Sequence, residues 1–323
     1  MTRLYDARGN LYAVTTPQAL RLLGIDLPDS AEQAALTRVS WSLAAIDALC
    51  SWPEGQRPEG AKQHRSDGLL VGPFQSAAPY DLLIVNTDGT LAERSGNGLT
   101  IFAQALTDEG QLLVGQAFTL QVHHDQQNSA SPVPVQVEAA QVEEVSGFWL
   151  DLGAPGFGPT AVGAGSVGVH HPHNVSRVER LAELNQDWAR SVFVRIGNPH
   201  CVTLVPNPDA LPSFAHLHEA GLHAALVRIA FVGGEPCPAG VNLQWAFVES
   251  SNRIIARVFE RGEGPTASSG TSASAVACAA WRVGEVDAGL VQVVMPGGTA
   301  PVRLIEQDGA LQQVMLFGAA RRV

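Results

Sequence analysis

Two serines sit in the same local pattern, one in each half of the chain. Ser95 ends the run NTDGTLAERS and Ser269 ends the run ERGEGPTASS, and each is followed by a glycine and then an apolar helical stretch. A helix that begins in this way has unpaired N–H groups in its first turn and the positive end of its dipole, so it can bind an anion. The glycines that would let a ligand approach closely are Gly96, Gly98 and Gly270. Serine and glycine also cap ordinary helices, but two matched copies favour a small substrate with a carboxylate.

The elements that must position these serines predict an α+β chain. In the first half, strands are predicted at residues 82–85, 118–122 and 133–137, and helices at residues 16–23, 31–49 and 98–109. In the second half, strands are predicted at residues 192–196, 202–205, 228–231, 242–248 and 254–259, and a helix at residues 271–283. The Gly- and Pro-rich residues 151–165 predict a loop. We therefore expect two domains, residues 1–150 and 151–323, with the last strand free to return to the first domain.

Charge and lysine content narrow the classes of partner and cofactor. A net charge of -11 without any basic run argues against a nucleic-acid partner, because phosphate binding needs clustered Lys and Arg. The sole lysine, Lys62, lies in the polar stretch PEGAKQHRSDG, which predicts a solvated loop. A pyridoxal-phosphate enzyme needs a firmly held lysine for its Schiff base, so we expect no pyridoxal phosphate.

The spacing of the cysteines and the lengths of the apolar runs indicate the cellular compartment of the protein. The four cysteines form no C-x-x-C pair, which predicts buried reduced thiols rather than disulfides or a zinc site. They are Cys50, Cys201, Cys237 and Cys278. The N-terminus has no apolar signal region, and no run reaches the ~18 apolar residues of a membrane span. We expect a cytoplasmic protein with no membrane partner.

Five histidines in two short runs raise the question of a metal. They are His123, His124, His170, His171 and His173. No carboxylate stands at ligand spacing from them, so we interpret them as solvated loop histidines and expect no metal. The glycines of residues 163–168 satisfy G-x-G-x-x-G, but the VHHPHN that follows cannot continue as a helix, which argues against a dinucleotide site.

Seven short motifs, in order, resemble those of the diaminopimelate epimerase family. They are ARGNLY (7–12), SDGLLV (66–71), NTDGTLAERSGNG (86–98), IGNPHCV (196–202), AGVNLQWAFV (239–248), ERGEGPTASSGTSASA (260–275) and MPGG (295–298). The resemblance implies two pseudo-repeated α+β domains, each a mixed sheet or barrel wrapped round a central helix, with the active site between them. It also implies a homodimer and a reaction without any cofactor.

The same resemblance assigns roles to individual residues. In that family one thiolate removes the α-proton of an amino acid while an opposing thiol delivers a proton to the other face. The predicted substrate-binding residues are Asn10, Asn86, Gly96, Asn97, Asn198, Asn242, Arg261, Gly270 and Thr271. His200 and Glu260 would each stand beside one of the two reacting positions.

The sequence departs from the family at the positions that matter most. Ser95 and Ser269 stand where the two catalytic cysteines belong, and Pro265 replaces the glutamate usual in the last long motif. A thiol has a pKa near ~8.5 and becomes more acidic at a helix N-terminus, whereas an alcohol is far weaker. A serine could act as a base only if a neighbour takes its proton, and His200 or Glu260 is the candidate.

Three interpretations of the double replacement remain open. The protein is an amino-acid racemase or epimerase with Ser95–His200 and Ser269–Glu260 as acid/base pairs. Alternatively, it catalyses a different isomerisation or a dehydration with Glu260 as the lone acid/base, as the resemblance to phenazine-pathway isomerases and to proline racemase relatives suggests. The third interpretation is a small-molecule-binding protein that has lost the chemistry.

Overall fold

The computed structural model describes residues 2–112, 117–126, 130–165 and 175–323. It divides into two compact units. Unit 1 comprises Met1–Leu150 together with Gly318–Val323, and unit 2 comprises Asp151–Phe317. The chain therefore leaves the first unit once and returns to it for its last six residues.

The described residues form the following elements, in chain order. The strands are β1 (Arg3–Ala7), β2 (Asn10–Thr15), β3 (Gly68–Val71), β4 (Tyr80–Asn86), β5 (Phe118–Val122), β6 (Val133–Val142), β7 (Val145–Asp151), β8 (Gly156–Phe157), β9 (Val175–Ser176), β10 (Ser191–Ile196), β11 (Asn198–Leu204), β12 (Asn242–Ser250), β13 (Arg253–Glu260), β14 (Gly264–Thr266), β15 (Gly289–Met295), β16 (Gly298–Gln307), β17 (Ala310–Gly318) and β18 (Arg321–Arg322). The α-helices are α1 (Pro17–Leu22), α2 (Ala31–Leu36), α3 (Ser42–Cys50), α4 (Gly96–Asp108), α5 (Glu179–Leu184), α6 (Phe214–Leu217), α7 (Ala220–Ala230) and α8 (Gly270–Arg282).

The two units repeat one strand topology. In unit 1, β1 and β2 form a hairpin, β3 joins β2 in parallel, β4 is antiparallel to β3, and β5 is parallel to β4. In unit 2, β10, β11, β12, β13 and β15 follow the same order of antiparallel and parallel pairings. A 13-residue helix precedes the fifth strand in both units, α4 in the first and α8 in the second. This confirms the predicted pseudo-repeated α+β fold.

Each repeat buries its long helix in the core. α4 buries large side chains, among them Leu99, Ile101 and Phe102, against the apolar faces of unit 1 strands. α8 is buried from Gly270 to Ala280, and its alanines pack in a cluster with valines of unit 2 strands. A helix that is buried on every side must be surrounded by protein, so α8 is central in unit 2. Water consequently cannot easily satisfy the free N–H groups in the first turn of α8.

Two predicted elements differ in the structure. The single helix predicted at residues 31–49 was wrong, because α2 ends at Leu36 and α3 begins only at Ser42. Between them the hydroxyls of Thr37 and Ser40 bond nearby backbone carbonyls, which competes with helix continuation. The strand predicted at residues 228–231 was also wrong: most of this segment belongs to α7. A short apolar run cannot by itself distinguish a strand from a buried helix.

We predict that Gly318→Ala destabilises unit 1. A Cβ at this position would lie 2.1 Å from Oγ1 of Thr100 on buried α4, and Thr100 is held in place by a hydrogen bond to the Gly96 carbonyl. Because the threonine cannot move away cheaply, the free energy of unfolding should fall by about 1 to 3 kcal/mol. Urea denaturation followed by circular dichroism measures it.

The matched control is Gly221→Ala, at an open position in the first turn of α7 with no atom near the added Cβ. Alanine favours a helix, so this variant should be unchanged or more stable by up to about 1 kcal/mol. Equal urea midpoints for the two variants would show that α4 does not pack as described.

Candidate active site

Both long helices begin with a serine whose hydroxyl caps the first turn. Ser95 precedes α4 with φ -145° and ψ 115°, and its hydroxyl accepts a hydrogen bond from the Gly98 N–H at 3.0 Å. Ser269 precedes α8 with φ -149° and ψ 120°, and its hydroxyl accepts from the Ser272 N–H at 3.4 Å. Each cap satisfies one first-turn N–H. The earlier N–H groups have no intrahelical acceptor and remain suited to an anion such as a carboxylate.

In unit 1 the predicted site residues lie at strand ends and at the start of α4. Asn10 is the first residue of β2 and Asn86 is the last residue of β4, while Gly96 and Asn97 open α4. The Asn86 side chain donates to Oγ1 of Thr90 at 2.9 Å, which fixes the turn after β4.

In unit 2 the corresponding residues occupy corresponding places. Asn198 is the first residue of β11, Asn242 is the first of β12, Glu260 is the last of β13, and Gly270 and Thr271 open α8. The strand register pairs His200 with Asn242. The Asn242 side-chain oxygen accepts from the backbone N–H of Arg261 at 2.9 Å, which ties the end of β13 to the start of β12. The Arg261 guanidinium also donates to the Ala239 carbonyl at 3.2 Å.

The carboxyl of Glu260 interacts with the hydroxyl of Ser269 at the start of α8. Burial raises the pKa of the Glu260 carboxyl to about 7; the hydrogen bond with Ser269 opposes the shift and the charge of Glu263 adds to it. A carboxyl with this pKa exchanges protons readily near neutral pH. Glu260 is therefore suited to give or take a proton at neutral pH.

His200 is fully buried and remains neutral. Burial lowers its pKa to about 3, and the nearby charge of Arg261 lowers it further; hydrogen bonds with the Ile196 backbone and the Gln244 side chain act in the opposite direction. The Gln244 amide nitrogen lies 3.0 Å from Nδ1 of His200. With this pKa, His200 is a weak base at neutral pH.

Three further residues belong to the candidate site, although the sequence did not single them out as such. The Tyr12 hydroxyl lies 3.4 Å from Oγ of Ser95 in unit 1. In unit 2, the Gln244 amide nitrogen also lies 3.0 Å from Oγ of Ser272. The available signal was that Tyr12 and Gln244 lie within strand motifs already matched to the family.

Several predictions about other polar residues can be compared with the structure. The Lys62 side chain is 76% exposed and forms an ion pair with Asp67, as expected for a solvated loop. All four cysteines are free and buried, as predicted. In the described part of the chain, no helix is long and apolar enough to cross a membrane, and no cluster of three metal-ligating side chains is found. His170, His171 and His173, and part of the 163–168 glycine run, lie outside the described residues.

The interpretation of His123 and His124 as solvated was wrong, because both are buried. The chain continues alongside β4 after β5, so that the His123 N–H donates to the Leu82 carbonyl and its ring lies 3.1 Å from the Asp81 carboxylate. The His124 ring lies 3.0 Å from the Ala130 carbonyl. Neither contact could be read from the order of residues in a polar stretch.

Comparison with solved structures identifies the fold. The chain is similar over its whole length to a phenazine biosynthesis protein of the PhzF family from Bacillus anthracis, with a TM-score of 0.61 and 12% identity over 96% of that chain. It is also similar to a probable proline racemase from Agrobacterium radiobacter K84, with a TM-score of 0.58 and 13% identity over 90% of that chain. The chain thus has the fold that these two proteins share.

Sequence comparison then identifies the family. The diaminopimelate epimerase family model matches residues 192–323. Diaminopimelate epimerase 2 of Nostoc sp. is 31% identical over 247 residues, which cover 74% of this chain and 74% of the relative. Diaminopimelate epimerase of Corynebacterium aurimucosum is 30% identical over 274 residues, 82% of this chain and 86% of the relative. The chain belongs to the diaminopimelate epimerase family and is an isomerase of the racemase and epimerase class.

We predict that the Glu260 carboxyl makes stability depend on pH. Its folded pKa of about 7 lies above the ordinary value of 4.5 expected in the unfolded chain, so ionisation costs folding energy. The cost is absent below pH 4.5, grows as the pH rises toward 7, and is complete above it. Glu260→Gln should therefore raise the free energy of unfolding above pH 7 by up to about 3 kcal/mol, and this gain should vanish toward pH 4.5.

Urea unfolding at pH 4 to 9 measures this difference. Glu183→Gln, at an exposed position of α5, is the matched control and should change stability little at any pH. A Glu260→Gln gain that is the same at pH 4.5 and pH 8 would contradict a half-buried, weakly acidic carboxyl.

Proposed function

We propose that this chain is a cofactor-independent racemase or epimerase that moves a proton at the α-carbon of an amino acid. The observation that carries the proposal is the Glu260–Ser269 pair at the N-terminus of buried α8. The pair provides a proton-transfer group tuned near neutral pH, and the helix start beside it can hold the substrate carboxylate. Neither role requires pyridoxal phosphate.

In unit 2 the carboxylate compensates for what the serine lacks. A serine hydroxyl is too weak an acid to be charged at neutral pH, so it cannot by itself remove an α-proton. Glu260, with its pKa of about 7, is charged in a large fraction of molecules at neutral pH and can take the hydroxyl proton as Ser269 takes the proton of the substrate. Ser269 then acts as a relay and Glu260 as the base.

In unit 1 the hydroxyl pair of Ser95 and Tyr12 is proposed as the second acid/base group. A phenol has a pKa near ~10 and is a better proton donor than an alcohol. The two oxygens lie 3.4 Å apart, so a small adjustment brings them to hydrogen-bond distance. His200 was predicted as the partner of Ser95, and its pKa of about 3 favours a neutral hydrogen-bonding role over that of a base.

We further propose that the substrate is diaminopimelate or a closely related amino acid, which would place the protein in lysine biosynthesis. The support is that the relatives named above are diaminopimelate epimerases. The substrate carboxylate would bind at the helix starts, with the remaining polar groups held by Asn10, Asn86, Asn97, Asn198, Asn242 and Arg261. A cytoplasmic location is proposed from the four free buried cysteines. A homodimer without a nucleic-acid partner is proposed from the family resemblance and from the net charge of -11.

The second candidate is a different isomerisation or a dehydration on the same scaffold. The raised pKa of Glu260 favours it, because a carboxyl that titrates near 7 can serve alone as both base and acid. In this case Ser269 would only hold the carboxyl in place, and the reaction would need no second base.

The test is α-proton exchange in heavy water, followed by NMR and mass spectrometry on diaminopimelate stereoisomers and a panel of amino acids. We expect deuterium at the α-carbon together with inversion. Glu260→Gln should slow exchange by roughly 100-fold or more, because it removes the base. Exposed Glu183→Gln is the matched control and should retain the wild-type rate.

Other outcomes separate the alternatives. A product of changed mass or with a new double bond would support the second candidate and overturn the first. Tight ligand binding without exchange, together with exchange gained in the Ser95→Cys, Ser269→Cys double variant, would show a binding protein that has lost the chemistry. Exchange in the wild type that is insensitive to Glu260→Gln would remove the carboxyl from the mechanism.

A further inference from the structure

A buried polar network links His200 to the serine cap of α8. The side chains of His200, Gln244 and Ser272 are all fully buried. The amide nitrogen of Gln244 lies 3.0 Å from Nδ1 of His200 and 3.0 Å from Oγ of Ser272. The Ser272 N–H in turn donates to the hydroxyl of Ser269. The chain of contacts therefore connects the histidine to the candidate catalytic serine through Gln244.

The repeat in unit 1 shows that the fold does not require this network. β2 and β11 both begin with asparagine, so Tyr12 occupies in unit 1 the place of His200 in unit 2. Leu70 is the third residue of β3, and Gln244 is the third residue of the corresponding strand β12. Gly98 follows Ser95 by three residues, and Ser272 follows Ser269 by three residues. Leu70 packs directly at this point, since a Cβ on Gly98 would lie 3.4 Å from its Cδ2.

Folding alone therefore does not account for the buried polar pair of unit 2, Gln244 and Ser272. Burying an amide and a hydroxyl costs free energy that hydrogen bonds only partly return, whereas an apolar pair of the same shape is neutral or stabilising. Unit 1 demonstrates that an apolar pair fits the same topology. Unlike a leucine, Gln244 can form a hydrogen bond with the ring of His200.

The contact determines where the histidine proton lies. With its nitrogen toward the ring, the Gln244 amide can only donate to Nδ1 of His200, and in this orientation the single proton of the neutral ring is on Nε2. Among the described residues no well-aligned acceptor meets this Nε2, although the Ile196 backbone lies close enough to favour a charged ring. The ring therefore has one nitrogen occupied by the protein and an N–H donor on the other.

We propose that Gln244 is a positioning residue that holds His200 as the neutral ring with its proton on Nε2 and ties that ring to the first turn of α8 through Ser272. His200 then offers the substrate a hydrogen-bond donor instead of a base. This inference rests on the proposed function for placing His200 beside the substrate. The tautomer and its dependence on Gln244 are properties of unit 2 alone.

The direct test is the tautomer of His200 in the unliganded protein. Histidine labelled with ¹⁵N gives a long-range ¹H–¹⁵N correlation pattern that distinguishes the two tautomers and the charged ring, and the His200→Gln variant identifies the His200 signals. We expect the Nε2–H pattern at pH 7 in the wild type. In Gln244→Glu, an isosteric change that puts an acceptor against Nδ1, the proton should move to Nδ1 or the ring should become charged. An Nδ1–H pattern in the wild type, or one unchanged in Gln244→Glu, would overturn the proposal.

A second measurement remains decisive if a buried glutamate prevents folding. The Gln244→Leu, Ser272→Gly double variant copies the apolar pair of unit 1. We expect it to fold with a melting temperature near that of the wild type, to lose the fixed Nε2–H pattern, and to lower kcat for α-proton exchange roughly 10- to 100-fold with little change in KM. Gln136→Leu is the matched control, because Gln136 lies at an exposed strand position where its side chain bonds Thr119, and this variant should keep wild-type kinetics.

The NMR measurement and the kinetic measurement together separate this inference from the proposed function. If the wild type exchanges no α-proton on any substrate, the proposed function fails while the NMR result still decides the role of Gln244. If the wild type exchanges and the double variant has an unchanged kcat and an unchanged tautomer, Gln244 has only a packing role and the inference is wrong.

Discussion

The unpaired N–H groups at the start of a buried helix are the constraint on which the candidate site depends. α8 is surrounded by protein from Gly270 to Ala280, so the first turn of this helix cannot rely on bulk water for its hydrogen bonds. The Ser269 hydroxyl satisfies one N–H, and the earlier N–H groups of the helix have no intrahelical acceptor. Strand ends that carry Asn198, Asn242 and Glu260 belong to the same unit and supply the polar side chains that such a helix start needs.

The two repeats share a topology but have diverged in chemistry. The positions that hold Tyr12, Leu70 and Asn86 in unit 1 hold His200, Gln244 and Glu260 in unit 2. One helix start is thus accompanied by a phenol and an amide, and the other by a neutral imidazole and a weakly acidic carboxyl. In the proposed reaction one group removes a proton and another returns it, and two such groups must differ in protonation at the moment of reaction.

The sequence predicted the repeat because the repeat depends on local patterns, and the candidate site residues were chosen from the same patterns. Helix starts, strand-end asparagines and the seven ordered motifs are readable from neighbouring residues. What it did not predict depends on contacts between distant residues. The break between α2 and α3 arises where the hydroxyls of Thr37 and Ser40 bond nearby backbone carbonyls. The buried His123 lies beside Asp81 of a neighbouring strand. The proposed role of Gln244 requires His200 and Ser272, which are 44 and 28 residues away.

Because hydroxyls stand in place of both thiols, the proposed reaction depends on the carboxyl of Glu260 as its base. Charging an ordinary thiol at pH 7 costs about 2 kcal/mol, and charging a serine costs far more. Glu260, with a pKa of about 7, can be charged at that pH at almost no cost. Its burial makes the folded protein less stable whenever it is ionised, a cost that packing alone would not justify. A chain that kept only a binding pocket could replace this carboxyl with an amide and gain stability, so the retained Glu260 favours a site that still moves protons.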